Sequence, residues 1–443
     1  MAKFSITTLG CKVNRHESDL ISTALENHYY KEIADNAQPD FCIINTCCVT
    51  QKAAMQSRQA VRRAIRANPK ALIIVTGCYA QIESKLLSQI KGVTSLVGQA
   101  DKYQIPGMIS AYLDHGLPLE QKICSDIRKQ KKFSYASELR PKNRTRPFLK
   151  IQDGCDAFCT YCIIPYTRGP SRSMEPDLVI DNLKYLAQAG YQEVVLTGIH
   201  LGRFGLDLEP RLTLFDLLKS IYRKKIIRRI RLSSIEPCEL TDEIIDLVAS
   251  SAGVKNSICP HFHIPLQSGD DAILKKMGRP YTSDKFITLV KKIKQVIPQA
   301  AIGVDLLTGF PGETKKAFEN TYALIEKLPV SYLHIFPFSP RKGTPAFGYS
   351  NKIALDIIKA RCKKMRELGL QKKDSFFKNF IGQSTEILVE STRDKVSGRL
   401  LKGFTPNYIP VLLEGPDLLK NSIIKVKIQN VDSDLRVFAE PAG

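Results

Sequence analysis

Two groups of three cysteines set the terms on which this chain can fold. One group is compact: Cys155, Cys159 and Cys162 make a CxxxCxxC spacing in the segment CDAFCTYC. The other is scattered, with Cys11, Cys47 and Cys78 each following a strand-like run. Each group is one thiolate short of a closed tetrahedral site, and structural zinc usually takes four protein ligands. Three thiolates on a 4Fe–4S cubane leave one iron open to a further ligand. The spacing does not itself exclude zinc, but no histidine lies between Asp153 and Ile199 to complete such a site.

The scattered group can act together only if the fold gathers its strand ends. The runs KFSITTL, FCIIN and ALIIVTG are short and rich in β-branched residues, and helical stretches follow them at about His16–Glu26, Gln51–Arg66 and Ala80–Ile90. Such βα alternation predicts a parallel sheet, whose C-terminal strand edge is where ligands bind. Cys48 adjoins Cys47, and in extended backbone the two point to opposite faces, so only one is expected to be a ligand.

A basic connector follows, with RKQKKF and RPKNRTRPFLK between Ser125 and Lys150. It is read as a domain boundary, either solvated or touching nucleic acid. From Pro147 to about Pro345 strand and helix alternate again through FLKIQD, EVVLTGI, RIRLSS, HFHIPL, AIGVDLLTG and YLHIFPF. Six units fit a partial barrel, and the compact cysteine loop then sits at its C-terminal mouth. A basic helix over Ala354–Lys378 leads to short strands at TEILVE, SGRLLKG, YIPVLLE and IIKVKIQ, which predict a small β-barrel. The fold class is therefore α/β: an N-terminal open parallel α/β sheet, a central partial (β/α)6 barrel and a small C-terminal β-barrel. The expected boundaries are 1–124, a linker at 125–146, 147–378 and 379–443.

The net charge of +21 points to a polyanionic partner and, with no basic tail, to a folded nucleic-acid-binding surface. No signal peptide and no run of about 18 apolar residues is expected, which predicts a cytoplasmic location and no membrane partner. In a reducing compartment twelve cysteines argue for metal ligation over disulfides. The other six (Cys42, Cys48, Cys124, Cys238, Cys259 and Cys362) are most simply small buried hydrophobes.

CxxxCxxC in this position resembles the radical S-adenosylmethionine (SAM) superfamily. The flanking RPFLKIQDGCDAFCTYCIIPYTRGPSRS is similar to the methylthiotransferase branch, as are LGCKVNRHESD, NTCCVT and GCYAQ in the first segment. LTGIHLGRFG, RLSSIEP, HFHIPLQSGDD, GFPGET and FPFSPRKGTPA continue the likeness, and GFTPNYIPV resembles the RNA-binding TRAM module. The resemblance covers nearly the whole chain, and LGCKVN, TGIHLG and SSIEP lean to the threonylcarbamoyladenosine-tRNA subgroup. Cys48 departs from it, standing where the family usually has Thr.

The resemblance implies two 4Fe–4S clusters, one on Cys155, Cys159 and Cys162 with SAM as the cofactor on its open iron, and an auxiliary one on Cys11, Cys47 and Cys78. It implies radical methylthiolation at C2 of an N6-threonylcarbamoyladenosine beside the anticodon. C2–H is no ordinary acid, so the cofactor carries the hard step. The implied partners are tRNA, an electron donor such as a flavodoxin or ferredoxin, and a sulfur source. By the same resemblance Tyr161, Gly198, Ser233, Ser234, Glu236 and Gly309 are expected to meet SAM, with strand-end capping and turn geometry as plainer readings for the serines and glycines.

Arg168 and Arg172 are expected to help neutralise the compact group. His261 and His263 lie on one strand face, conceivably as a paired metal site and more simply as a polar pair lining the barrel. His200 is open to contact with substrate or to packing. The run from Arg223 through Arg228, Arg229 and Arg231 touches phosphates or is solvated. Lys395, Arg399, Lys402, Lys425 and Lys427, with Phe404 and Tyr408, suit a folded RNA with exposed bases, the alternative being a barrel docked on the main body. Rival readings are a methylthiotransferase for another tRNA adenosine or a ribosomal protein, and a non-catalytic iron–sulfur RNA-binding protein.

Overall fold

A computed structural model describes residues 1–135, 140–141, 144–251, 253 and 256–442. Part of the basic connector, including Lys142, lies outside the described residues. The first segment builds one six-stranded sheet from β1 (Lys3–Thr8), β2 (Lys31–Glu32), β3 (Phe41–Thr46), β4 (Leu72–Gly77), β5 (Ser95–Val97) and β6 (Lys122–Ile123). Its order is β2-β1-β3-β4-β5-β6, and every pairing is parallel. The central β3 is buried along its whole length, as a strand covered on both faces must be. Helix Gln51–Ala67 turns Ala54, Ser57, Ala60 and Val61 inward, and these small residues let it lie close to the sheet. Thr50 caps it, accepting from the Ala53 amide at 3.0 Å, which contributes about 1 kcal/mol. The helix expected over Ala80–Ile90 is two short ones, Cys78–Ile82 and Ser84–Ser88.

The centre holds β7 (Phe148–Lys150), a small ribbon of β8 (Gln152–Asp153) and β9 (Arg172–Ser173), then β10 (Glu193–Thr197), β11 (Arg229–Leu232), β12 (Ser257–Ile258), β13 (His261–Gln267), β14 (Ala301–Thr308) and β15 (Tyr332–Pro337). Two parallel arcs result, β12-β11-β10-β7 and β13-β14-β15. The Cys259 amide carries the β11–β12 ladder on to Ile230 O (2.8 Å), and the arcs are joined where the Ile235 amide donates to His263 O (3.0 Å). The short β12 and the longer β13 serve as one bent strand, so six βα units form an incomplete barrel. Its core runs from Leu149 through Leu196, Leu232, Ile264 and Val304 to Met365 on the long helix Leu355–Lys378.

The tail is a closed barrel of β16 (Ser384–Arg393), β17 (Leu401–Phe404), β18 (Pro410–Leu413), β19 (Ile423–Val431) and β20 (Val437–Pro441), around Ile387, Val389, Val411 and Val426. The last strand, VFAEP, closes it and has no counterpart among the four expected runs.

This barrel is fastened to the centre by charge. Arg229 and Arg231 are 1% exposed, so the basic run is not solvated there. Arg231 pairs with Glu193 at 2.7 Å and donates to Thr405 O and Pro406 O at 3.2 and 2.8 Å. Arg229 and Arg228 both reach Glu386, at 3.1 and 2.9 Å. Arg146, from the connector, pairs with Glu390 at 2.8 Å and lies 3.9 Å over the Phe404 ring. Tyr408 stacks on His261 with ring centroids 4.5 Å apart. The two tail aromatics therefore dock the barrel on the centre, while Lys395, Lys425 and Lys427 stay exposed.

Candidate functional site

Strand register explains how the scattered cysteines meet. Thr8 pairs with Asn45 and Thr46 with Gly77, so the chain leaves three adjacent strands at one edge just before Cys11, Cys47 and Cys78. Gly10, at φ +100°, makes the first turn possible: a Cβ there would sit 3.0 Å from Cys47 Sγ. Asn14 stitches the edge, donating to Leu9 O (2.8 Å) and Thr46 O (3.1 Å). Ser57 clamps Cys47 from helix Gln51–Ala67, accepting from its amide at 3.0 Å and donating to its carbonyl at 2.8 Å. Cys48 is buried in one cluster with Ala54, Val75, Tyr79 and Cys78, and burial, then Cys78 and Cys47, hold its thiol well above the usual range.

The compact loop is pinned at both ends. The Cys155 amide donates to Gly169 O at 3.0 Å, and the Thr160 amide to Met277 O at 2.9 Å. Cys155 Sγ lies 3.2 Å from His200 Nδ1, and His200 Nε2 is 2.7 Å from Glu239. Burial works against charge on His200, but the hydrogen bonds to Cys155 and Glu239 prevail and raise its pKa to about 10. Arg279 donates to Cys159 Sγ at 3.4 Å and pairs with Glu236. Burial pushes the Cys162 thiol up to about 12, with Cys159 and Cys155 adding to the shift. Burial lifts Cys47 to about 12 as well, with Cys78 next among the causes. Thiols so placed stay protonated until a metal takes the proton's place.

Arg279, not Arg168 or Arg172, is the arginine at the compact group. Arg172 bonds the carbonyls of Pro170 (2.8 Å) and Gln130 (3.4 Å). Arg168 is fully buried and serves the other group. It donates to Asn14 Oδ1 at 2.6 Å and pairs with Glu17 (3.0 Å) and Asp153 (2.7 Å). Lys102 and Lys150 complete the cluster on Glu17, at 2.5 and 3.0 Å. Arg172 also comes within 3.9 Å of Asp153, while burial lowers the Lys102 pKa to about 7. Arg168 opposes the upward push that burial gives Cys78.

The two cysteine groups fit a cluster better than one ion. Thiolates on a single zinc at about 2.3 Å would stand less than about 4 Å apart. Among the described residues, neither trio brings its sulfurs within 4.8 Å of one another; only His263, Asp305 and His334 come that close as a set of three. Asp305 Oδ1 accepts from His263 Nε2 at 2.7 Å and from His334 Nδ1 at 3.2 Å, and His261 bonds the Tyr332 hydroxyl at 2.7 Å. The expected polar pair is thus a wider hydrogen-bonded lining that includes three unforeseen members, Asp305, Tyr332 and His334.

The remaining expected residues fall around the barrel mouth. Tyr161 packs its ring with Met277 and Phe310. Gly198 lies against Gln152, which accepts from the His200 amide at 2.7 Å, and a Cβ on Gly198 would be 2.9 Å from Gln152 Oε1. Ser233 is buried with its hydroxyl unpartnered, whereas Ser234 is exposed. The Gly309 amide is taken by Glu313 at 2.9 Å. A cleft of about 440 Å³ opens where the N-terminal sheet, the centre and the tail barrel meet, lined by Lys12, Arg15, Arg144, Arg146 and Arg231. Burial, then Arg231 and Arg146, lower the Lys12 pKa to about 8.

Residues 3–98 match the family described as uncharacterized protein family UPF0004, and residues 149–325 match the radical SAM superfamily. The threonylcarbamoyladenosine tRNA methylthiotransferase MtaB of Bacillus subtilis is 37% identical over 97% of this chain and 94% of its own. The MtaB of Rickettsia prowazekii is 37% identical over 92% and 91%. A tRNA-2-methylthio-N(6)-dimethylallyladenosine synthase of Clostridium botulinum is 33% identical over 92% and 91%. Among solved structures, the radical SAM methyltransferase TsrM from Kitasatospora setae shares the fold at a TM-score of 0.55 and 14% identity, over 76% of this chain and 73% of its own. Six βα units, a CxxxCxxC loop at their mouth, a three-cysteine sheet edge facing it and relatives of this identity over nearly full length lead to one conclusion: the chain belongs to the radical S-adenosylmethionine methylthiotransferase family.

Proposed function

We propose that this chain places a methylthio group on C2 of N6-threonylcarbamoyladenosine beside the anticodon of tRNA. In this reading Cys155, Cys159 and Cys162 hold one 4Fe–4S cluster and Cys11, Cys47 and Cys78 a second, with SAM lodged near Tyr161, Gly198, Ser233, Ser234, Glu236 and Gly309. When bound, SAM and its cluster supply the radical chemistry that removes a hydrogen no side chain could take as a proton. The chain's own groups hold and insulate that chemistry. Arg279 offsets the thiolate charge at Cys159 while tying down Glu236. His200, braced by Glu239, donates toward Cys155. Arg168 and its network set a positive charge behind Cys78. The same network bonds helix Lys12–Asn27 to β8 through Glu17 and Asp153, so it ties the N-terminal sheet to the central barrel.

The observation that carries the reading is the Thr46–Gly77 register, which sets Cys47 and Cys78 side by side, at an edge that packs in one cluster with Ile163, the residue after Cys162. The three-part division at 1–124, 147–378 and 379–443 serves it: sulfur site, radical barrel and RNA grip. Electrons and sulfur come from outside the chain, from a flavodoxin- or ferredoxin-like donor and a sulfur source, in the cytoplasm. Nucleoside mass spectrometry of cells lacking the chain tests this. Loss of the 2-methylthio threonylcarbamoyl nucleoside is expected. Loss of the methylthio-isopentenyl nucleoside with the threonylcarbamoyl one intact would reassign the substrate.

A further inference from the structure

The cleft among the three parts of the chain has an unusual charge balance. It is lined by five cations and one carboxylate, Glu390. Three of the cations are already paired: Arg146 with Glu390 (2.8 Å), Arg231 with Glu193 (2.7 Å) and Arg144 with Asp19 (3.9 Å). Among the described residues Lys12 and Arg15 make no hydrogen bond or close ion pair; Cys11 and Asp305 favour the Lys12 charge, but less than burial, Arg231 and Arg146 oppose it, and Asp305 is already bonded to His263 and His334. Arg15 is exposed and solvated, but Lys12 is half-buried and stands among arginines. A cation so placed is unfavourable unless an anion joins it. Phe148 and Tyr408 line the same cleft, but their rings are already engaged, Phe148 by Arg144 at 4.9 Å and Tyr408 by His261 and Phe404, so what the cleft offers a ligand is charge. Lys12 directly follows Cys11, so an anion held there is held beside the three-cysteine edge.

We propose that Lys12 binds the free carboxylate of the substituent on N6 of the target adenine, and so selects an amino-acid-bearing adenosine over one with a hydrocarbon group. The inference rests on the threonylcarbamoyladenosine reading and adds to it the residue that recognises the distinguishing group. A threonine joined through its nitrogen keeps its α-carboxyl, which ionises near pH 3.5 and is an anion at neutral pH. A dimethylallyl group has nothing to offer an ammonium. The RNA backbone could supply an oxyanion too, so the test must separate phosphate from carboxylate.

Anaerobically reconstituted full-length protein, without reductant, is titrated by fluorescence anisotropy with three anticodon stem-loops. They differ only at the target adenine: N6-threonylcarbamoyl, its methyl ester, and unmodified. Wild-type protein should bind the first most tightly. Lys12→Met should weaken that binding about 10- to 100-fold, to the level of the ester, and leave the other two unchanged. Lys12→Arg should keep the preference. Iron and sulfide content establish that each variant is loaded, and Lys12→Gln carries the test should the methionine variant fail to load. An equal loss on all three loops would assign Lys12 to a phosphate, and no change on any loop would leave it without this role; either result overturns the inference. The two readings fail differently. Wild-type protein that methylthiolates another adenosine removes the substrate reading itself. Wild-type protein that acts on the threonylcarbamoyl loop, with Lys12→Met discriminating as well as wild type, removes the Lys12 assignment alone.

Discussion

Gly154 stands immediately before Cys155 at φ +74°, with its backbone pressed against the chain that returns from the cysteine loop. A Cβ at this position would lie 1.8 Å from Pro170 O, 2.6 Å from Pro170 C and 2.7 Å from Gly169 O. These are backbone atoms, so no side-chain rotation relieves the clash. Gly154→Ala therefore carries two costs. The left-handed backbone costs an alanine about 1–2 kcal/mol, and forcing an atom into occupied space costs about 1–3 kcal/mol more. The total of about 2–5 kcal/mol is met most cheaply if the strands part, which breaks the Cys155 amide bond to Gly169 O. Gly190→Ala separates the two costs: φ is +89° there, but nothing lies within 4 Å of the added carbon, so only the first applies. Thermal midpoint and iron content are measured on both variants after anaerobic reconstitution. Gly154→Ala should melt lower than Gly190→Ala and fall from about eight irons per chain toward four, with deoxyadenosine formation lost. Equal midpoints and equal iron in the two variants would show that close approach at Pro170 does not hold the cysteine loop.

Other perturbations probe different joints. Cys159→Ala should abolish deoxyadenosine formation from SAM and dithionite, whereas Cys78→Ala should spare it and lose the methylthio nucleoside; full methylthiolation by Cys78→Ala would remove that cysteine from the sulfur site. Arg279→Met leaves the partly exposed Glu236 without its cation and should cost about 1–3 kcal/mol, seen as a lower thermal midpoint. Adding Glu236→Gln should recover most of the loss, and no recovery would mean that Arg279 acts through packing. His16 is buried against β7 with Nδ1 2.8 Å from Phe148 O, and burial lowers its pKa to about 3. The folded state then resists a proton that the unfolded chain accepts below about 6.5, so stability should fall by about 1.4 kcal/mol per pH unit from there down to about 3. Denaturant midpoints across pH 5 to 7 should show this slope in wild type and a flatter one in His16→Gln.

The large features were legible because they are periodic or local. FCIIN and AIGVDLLTG read as buried parallel strands, and they are β3 and β14. CxxxCxxC declared itself by spacing, and the second trio by its place after three such runs. Charged residues were another matter. RIRL alternates in a way that a solvated or phosphate-binding strand would share, and nothing local says that Arg231 will find Glu193, 38 residues earlier in the chain. Arg168 sits six residues from Cys162, yet its partners Glu17 and Asn14 bring it to the other trio. Arg279 reaches Cys159 across 120 residues. Phe404 and Tyr408 looked like bases' partners because an aromatic beside basic residues has the same composition whether it meets RNA or an arginine of its own chain. Which charge meets which is settled by the closing of the fold.

The ion pairs that seat the tail barrel on the centre leave it little freedom to swing. Arg229 and Arg231 are sealed in the joint, and Arg146 braces it from the connector side. Lys425 and Lys427 on β19, and Lys395 in the turn after β16, thus stand at a set span from the mouth of the central barrel. If, as proposed, those lysines clasp a hairpin of tRNA, they would offer it to the mouth like stock in a jig: only the nucleotide at one distance along the loop would arrive there, and its neighbours on either side would pass untouched.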